Sequence, residues 1–239
     1  MTPFSRWTSS VCARIAAAPD TLVVIVEGSH GHFCAGADIA EFETVYRDAA
    51  ATRDYTDAIQ AGLAALAALN RPTIAALRGN AIGGGLALAL CCDLRFCAAD
   101  AVLAITPARL GLLYGFLETR RLVETVGPAR AKDLLFSGRR IGGAEALAIG
   151  LIDRLVDPAS LDASVSAYAE DLARLSQHSI RGAKIAVDAI AGGLLAETGA
   201  FRALVEQAAA GEDFAEGRAA FMAKRTPRFG FRGRAAPVD

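Results

Sequence analysis

The chain has 239 residues, enough for one large domain or for one domain with an appendage. Its 25 Lys and Arg nearly balance 26 Asp and Glu, so no long-range field draws a polyphosphate, and a nucleic-acid partner is disfavoured. Hydrophobic residues make up 53%, ample for a core, yet no uncharged apolar run approaches the roughly 18 residues of a membrane span.

The opening MTPFSRWTSS carries no apolar signal-peptide region. Five cysteines, with Cys91 and Cys92 adjacent, read as reduced and mostly buried thiols of a cytoplasmic protein, not as a disulfide framework. A weakly amphipathic stretch, Ser9 to Ala18, predicts a helix ahead of the first strand. Residues 22–26 (LVVIV) are β-branched without helical alternation and predict a buried parallel strand. The glycine-punctuated GSHGHFCAG follows as a loop. From about residue 40 to 69, apolar positions at helical spacing (Ile59, Leu63, Leu66, Leu69) predict a helix ending before Pro72. Thr73 to Leu77 predicts a second buried strand. Gly79, then Gly83-Gly84-Gly85, lead into an apolar helix with no polar face, which must be buried all round. Asp93 to Cys97 and Ala101 to Ile105 predict short strands. Beyond about residue 157 only helical spacing remains, over 159–175, 180–190, 198–209 and 213–224, before a basic, aromatic tail. The chain therefore reads as an α/β body, 1–157, followed by a helical segment, 158–239.

Two glycine loops each follow a buried strand. A glycine run opening a helix gathers unpaired amides and the positive dipole end at one spot, which suits an anion or a developing oxyanion. The same glycines equally suit a close helix–strand approach. The run is neither GxGxxG nor followed by Lys-Ser/Thr, which disfavours a nucleotide site. His30, His32, Cys34 and Asp38 lie close together without a second ligand cluster, so a metal is not expected. No GxSxG elbow supplies a hydrolase nucleophile.

Four stretches resemble the crotonase superfamily, the enoyl-CoA hydratase/isomerase family: VVIVEGSHGHFCAGADI at 23–39, RPTIAALRGNAIGGGLALALCCDLRF at 71–96, the 110–156 segment beginning LGLLYGFLETRRLVETV, and EGRAAFMAKRTPRF at 216–229. The resemblance implies a ββα spiral with a C-terminal helical trimerisation region, in a homotrimer or hexamer. It implies an acyl-CoA substrate with no separate cofactor, coenzyme A entering as the substrate thioester, in fatty acid metabolism. By the same resemblance the oxyanion-hole amides fall on Ala37 and Gly84. Ala35, Asp38, Ile39 and Gly83 are then expected along the substrate path, with Phe221 and Lys224 facing the adenine and phosphates. Family members usually carry two strands ahead of the part matching Trp7–Ala18, so a missing first hairpin is a further expectation.

The two glutamates that activate water in the hydratases correspond to Ala87 and Ala108, and neither alanine moves a proton. The stretch from Thr106 to Tyr114 resembles the T-P-x-x-L-G-x-x-Y of the methylmalonyl-CoA decarboxylase branch, although that branch has a histidine at the position of Ala37. Tyr114 is thus one candidate catalytic group. Glu118 is the other, in a region where some isomerases and dehalogenases of the superfamily place their acid. It equally suits a helix N-terminus, with Arg120 or Arg121 as a partner. Decarboxylase-like or isomerase-like chemistry is expected over hydration. A catalytically silent acyl-CoA binder is the alternative, and an RNA-binding role is disfavoured by the charge balance.

Overall fold

A computed structural model describes the chain from Pro3 to Arg232; the end of the basic tail, from Gly233, lies outside the described residues. Helix α1 (Pro3–Ala17) precedes strand β1 (Val24–Glu27), a 3-10 turn (Ile39–Glu41), α2 (Phe42–Val45) and the long α3 (Ala49–Ala67). Then come β2 (Thr73–Leu77), β3 (Asn80–Ile82), α4 (Gly84–Leu90), β4 (Leu94–Ala98), β5 (Val102–Ala104) and a 3-10 turn (Pro107–Leu110). Helices α5 (Phe116–Val126) and α6 (Pro128–Ser137), strand β6 (Arg140–Gly142), α7 (Gly143–Ala148) and β7 (Arg154–Val156) complete the α/β part. After a third 3-10 turn (Pro158–Ser160) follow α8 (Leu161–Arg174), α9 (Gln177–Ala191), α10 (Gly199–Ala210) and α11 (Glu212–Met222).

The strands form two sheets, ordered β1-β2-β4-β7 and β3-β5-β6. From β2 to β5 consecutive strands alternate between them: β2 in the first is followed by β3 in the second, and β4 by β5. Pairing is parallel for β2/β4, β4/β7 and β3/β5, and antiparallel for β5/β6. This two-sheet α/β spiral, each turn closed by a helix, is the expected fold class. The predicted strand at 22–26 forms as β1 but stands at a sheet edge, so Ile25 is partly exposed where full burial was expected. Strands β3, β6 and β7 escape periodicity because each holds three residues. The helix predicted over 40–69 breaks before α3, where Asp48 Oδ1 accepts from Ala51 N at 2.8 Å and caps a new start.

Contacts gather the chain into two compact units. The first holds residues up to Ile15, then Ile25–Leu69 and Thr73–Ser166; the second holds Ala16–Val24, Asn70–Pro72 and the chain from Ala167. In the first unit, α4 buries Leu86, Ala87, Ala89 and Leu90, as its lack of a polar face requires. Beside it, Asp93 fastens the starts of β2 and β4. Its Oδ2 accepts from Thr73 N at 2.7 Å and from Thr73 Oγ1 at 3.0 Å, while Asp93 N donates to Thr73 Oγ1 at 2.8 Å. Buried Arg95 is held by Asp153 at 2.8 Å and by the carbonyls of Leu151 and Cys92. In the second unit, Asp213 accepts from Ser176 Oγ at 2.6 Å and from the amides of Gly230 and Phe231, tying the tail to the start of α9.

Thr73 is fully buried, so removing the Asp93 carboxylate leaves its amide without that acceptor, at a cost of about 2 kcal/mol. Asp93→Ala is expected to lower the melting temperature by about 4–8 °C in thermal denaturation; an unchanged Tm contradicts the clamp.

Candidate active site

The site begins with a short piece of backbone pairing. Phe33 N donates to Arg78 O at 2.9 Å, Cys34 N to Asn80 O at 3.0 Å, and Ile82 N to Cys34 O at 3.0 Å. Asn80 N donates to His32 Nδ1 at 3.1 Å, so His32 anchors this loop to β3. The result is a parallel bridge between Cys34 and Ala81. Beyond the bridge the two chains turn at Gly36 (φ +101°) and Gly83 (φ +53°), and Ala37 and Gly84 line the same cavity. A Cβ on Gly36 would stand 3.8 Å from Gly84 N, so the two loops run side by side.

Glycine is required where they meet. Any Cβ at Gly85 would lie 2.1 Å from Cys34 O, a clash with backbone that cannot move without breaking the bridge. Gly83 turns the chain into α4 with φ +53°, a region side chains avoid. Its own amide donates to Ala104 O at 2.8 Å. The amides of Ala37 and Gly84 donate to no protein acceptor among the described residues. Gly84 is the first residue of α4, whose opening amides have no intrahelical partner.

These two amides line a cavity of about 390 Å³. Of the residues singled out from the sequence, Ala35, Ala37, Ile39, Gly83, Gly84, Tyr114 and Glu118 all line it. Asp38 does not: its Oδ1 accepts from Ala40 N at 2.9 Å and caps the 3-10 turn. Phe221 and Lys224 belong to the second unit, where Phe221 is exposed and Lys224 adopts φ +51°. Ala87 and Ala108, the two positions expected to correspond to hydratase glutamates, are not among the lining residues: Ala87 is buried within α4 and Ala108 is exposed on the 3-10 turn. One wall is aromatic, with Phe42 edge-on to Tyr46 at 5.2 Å and Tyr46 edge-on to Tyr55 at 5.4 Å.

Two side chains bring titratable chemistry from around the start of α5. Tyr114 donates its hydroxyl to Gly83 O at 3.1 Å, bracing the turn that presents Gly84. Burial, and next the Glu118 carboxylate, push its pKa well above 10, so the phenol stays protonated. Glu118, the third residue of α5, is 7% exposed. Arg120 and Arg121 do not pair with it; both turn to Glu124, at 2.6 and 3.8 Å. No Lys, Arg or His lines the cavity among the described residues. Glu118 Oε2 instead accepts from Gln60 Nε2 at 2.5 Å. Sequence reasoning missed Gln60; its one visible signal is a polar side chain beside Ile59 in an otherwise apolar stretch of α3.

Among the described residues no helix is long and apolar enough to cross a membrane. The family model described as enoyl-CoA hydratase/isomerase matches residues 9–232. The human enoyl-CoA hydratase domain-containing protein 2, mitochondrial, is 38% identical over 213 residues, covering 84% of this chain and 70% of that protein. Among solved structures, an enoyl-CoA hydratase/carnithine racemase from Magnetospirillum magneticum superposes with a TM-score of 0.91 at 32% identity, over 95% of this chain and 85% of the other. An enoyl-CoA hydratase from Bacillus anthracis gives 0.84 at 32% identity, over 94% and 87%.

The raised pKa of Tyr114 has a stability consequence. A group whose pKa is raised by folding contributes fully below its unfolded value, about 10, and that contribution is lost as the pH climbs further. Between about pH 9 and about pH 11, denaturant titration should therefore show a larger stability loss for the wild type than for Tyr114→Phe. Equal losses contradict the assignment.

Proposed function

Because the chain belongs to the enoyl-CoA hydratase/isomerase family of the crotonase superfamily, we propose that it binds an acyl-CoA thioester, stabilises the enolate, and moves a proton with Glu118. The thioester oxygen accepts from Ala37 N and Gly84 N. As charge moves onto that oxygen the two donors need no reorganisation, and each is worth about 3 kcal/mol to the transition state. With a 3-enoyl thioester the Glu118 carboxylate takes a proton from C2, the electron pair delocalises into a dienolate, and the same proton returns at C4. The double bond moves from C3–C4 to C2–C3, and the carboxylate is regenerated.

The observation that carries this reading is the carboxylate of Glu118: buried, lining the same cavity as Ala37 and Gly84, and paired with no cation among the described residues. Tyr114 is a weaker proton carrier, since its hydroxyl is committed to Gly83 O and its pKa is driven away from neutrality. The cavity also favours a neutral acyl group: it offers a carboxylate substituent Asp57 and Glu118 but no cation among the described residues. This supports the isomerase-like reading over the decarboxylase-like one, which retains Tyr114 as its specific feature. Hydration finds no carboxylate at Ala87 or Ala108.

Two wider features belong to the same reading. The second unit exposes Val187, Ile190, Leu195, Phe214, Phe221 and Met222, apolar side chains suited to self-association as a trimer or hexamer. Five free cysteines suit a reducing compartment, here the cytoplasm.

Glu118→Gln is expected to cut turnover of a 3-enoyl-CoA by about 10²–10⁴-fold with acyl-CoA binding retained, whereas Tyr114→Phe costs less than about tenfold. Steady-state kinetics and calorimetric binding decide it. Full activity in Glu118→Gln removes the proton-carrier role; binding without turnover of any crotonyl-, methylmalonyl- or 3-enoyl-CoA in the wild type identifies a silent binder.

A further inference from the structure

We infer that Gln60 is a positioning residue for Glu118, fixing which carboxylate oxygen exchanges the proton. This rests on the reading of Glu118 given above.

Gln60 stands on α3, and its side-chain amide is the single hydrogen-bond donor that reaches Glu118 among the described residues. At 2.5 Å the contact between Nε2 and Oε2 is short. With the amide in this orientation Nε2 donates and Oε2 accepts, whether Glu118 is a carboxylate or a carboxylic acid. A proton collected by the carboxyl therefore resides on Oε1. The bond to Gln60 survives that protonation, with Oε2 as the carbonyl oxygen. The carboxyl plane and its reactive oxygen then stay in place while the proton comes and goes. A side chain turning freely about its torsions would divide its time between two oxygens and several rotamers.

The opposite side of the pair is shaped to fit. A Cβ on Gly115 would lie 2.3 Å from Glu118 Oε2 and 2.7 Å from Gln60 Nε2. The bond thus lies in a slot closed by backbone, and glycine at 115 is what leaves the slot open. The groups facing Glu118 do not replace Gln60. Tyr114 directs its hydroxyl to Gly83 O, Cys91 is a thiol pushed up to about 12 by burial, and Arg121 turns to Glu124. Asp57, also on α3 and lining the cavity, carries charge of the same sign. Without Gln60 no side-chain donor reaches the carboxylate among the described residues.

Gln60→Met keeps the length of the side chain and deletes the donor. Its kcat should fall roughly ten- to hundredfold with KM for the acyl-CoA unchanged. Gly115→Ala, which attacks the same bond from the other side, should reproduce the fall in kcat at constant KM. Crystal structures of the wild type and of Gln60→Met should show Glu118 Oε1 in one position in the first and displaced in the second. An unchanged kcat in Gln60→Met, or a carboxylate that keeps its place without Gln60, overturns the inference. Full activity in Glu118→Gln, or a wild type that turns over nothing, overturns the catalytic reading of Glu118 instead; the two crystal structures then still decide whether Gln60 positions the carboxylate.

Discussion

Everything at the site follows from one register: the parallel bridge that pairs Cys34 with Ala81. Backbone hydrogen bonds from Phe33 to Ile82 hold it, and no side chain at Gly85 would permit it. Through it two loops far apart in sequence bring to one cavity Ala37 and Gly84, whose amides have no protein acceptor among the described residues. Strand β2 is wholly buried, and the Asp93–Thr73 clamp fastens it to β4. Catalytic precision on loops requires such a scaffold.

Onto that frame α5 adds charge with a clear division of labour. Tyr114 uses its hydroxyl to brace Gly83, and its environment keeps it neutral. Glu118 lies one turn further, deprived of the cations nearest in sequence because Arg120 and Arg121 are drawn to Glu124. The same glutamate disfavours ionisation of the tyrosine. Among the described residues a single side chain, Gln60, hydrogen-bonds to it.

The longer helices outside 116–148 and the strands β1, β2 and β4 were legible because they carry period and punctuation. The buried helix after the triple glycine, the stripe Leu63, Leu66, Leu69 and the run Thr73–Leu77 all fall where the sequence predicts. Of the three-residue strands, β5 falls within the predicted run Ala101–Ile105, whereas β3, β6 and β7 were not read, and β3 is half of the bridge that builds the site. Ala37 and Gly84 were named through resemblance; composition alone left their loops open between a ligand site and close packing. That Glu118 lacks an ion pair was not visible either. The spacing to Arg120 and Arg121 permits a pair, and only the competing position of Glu124 decides against it. Gln60 lies 58 residues before Glu118, beyond the reach of any local pattern.

The account stands or falls on where a thioester oxygen sits. The most direct measurement is a crystal structure with a non-reactive acyl-CoA ketone analogue bound. The predicted result places its carbonyl oxygen about 2.7–3.1 Å from both Ala37 N and Gly84 N, with Glu118 facing the adjacent acyl carbon. A carbonyl bound elsewhere in the cavity, or held by only one of these amides, would contradict it.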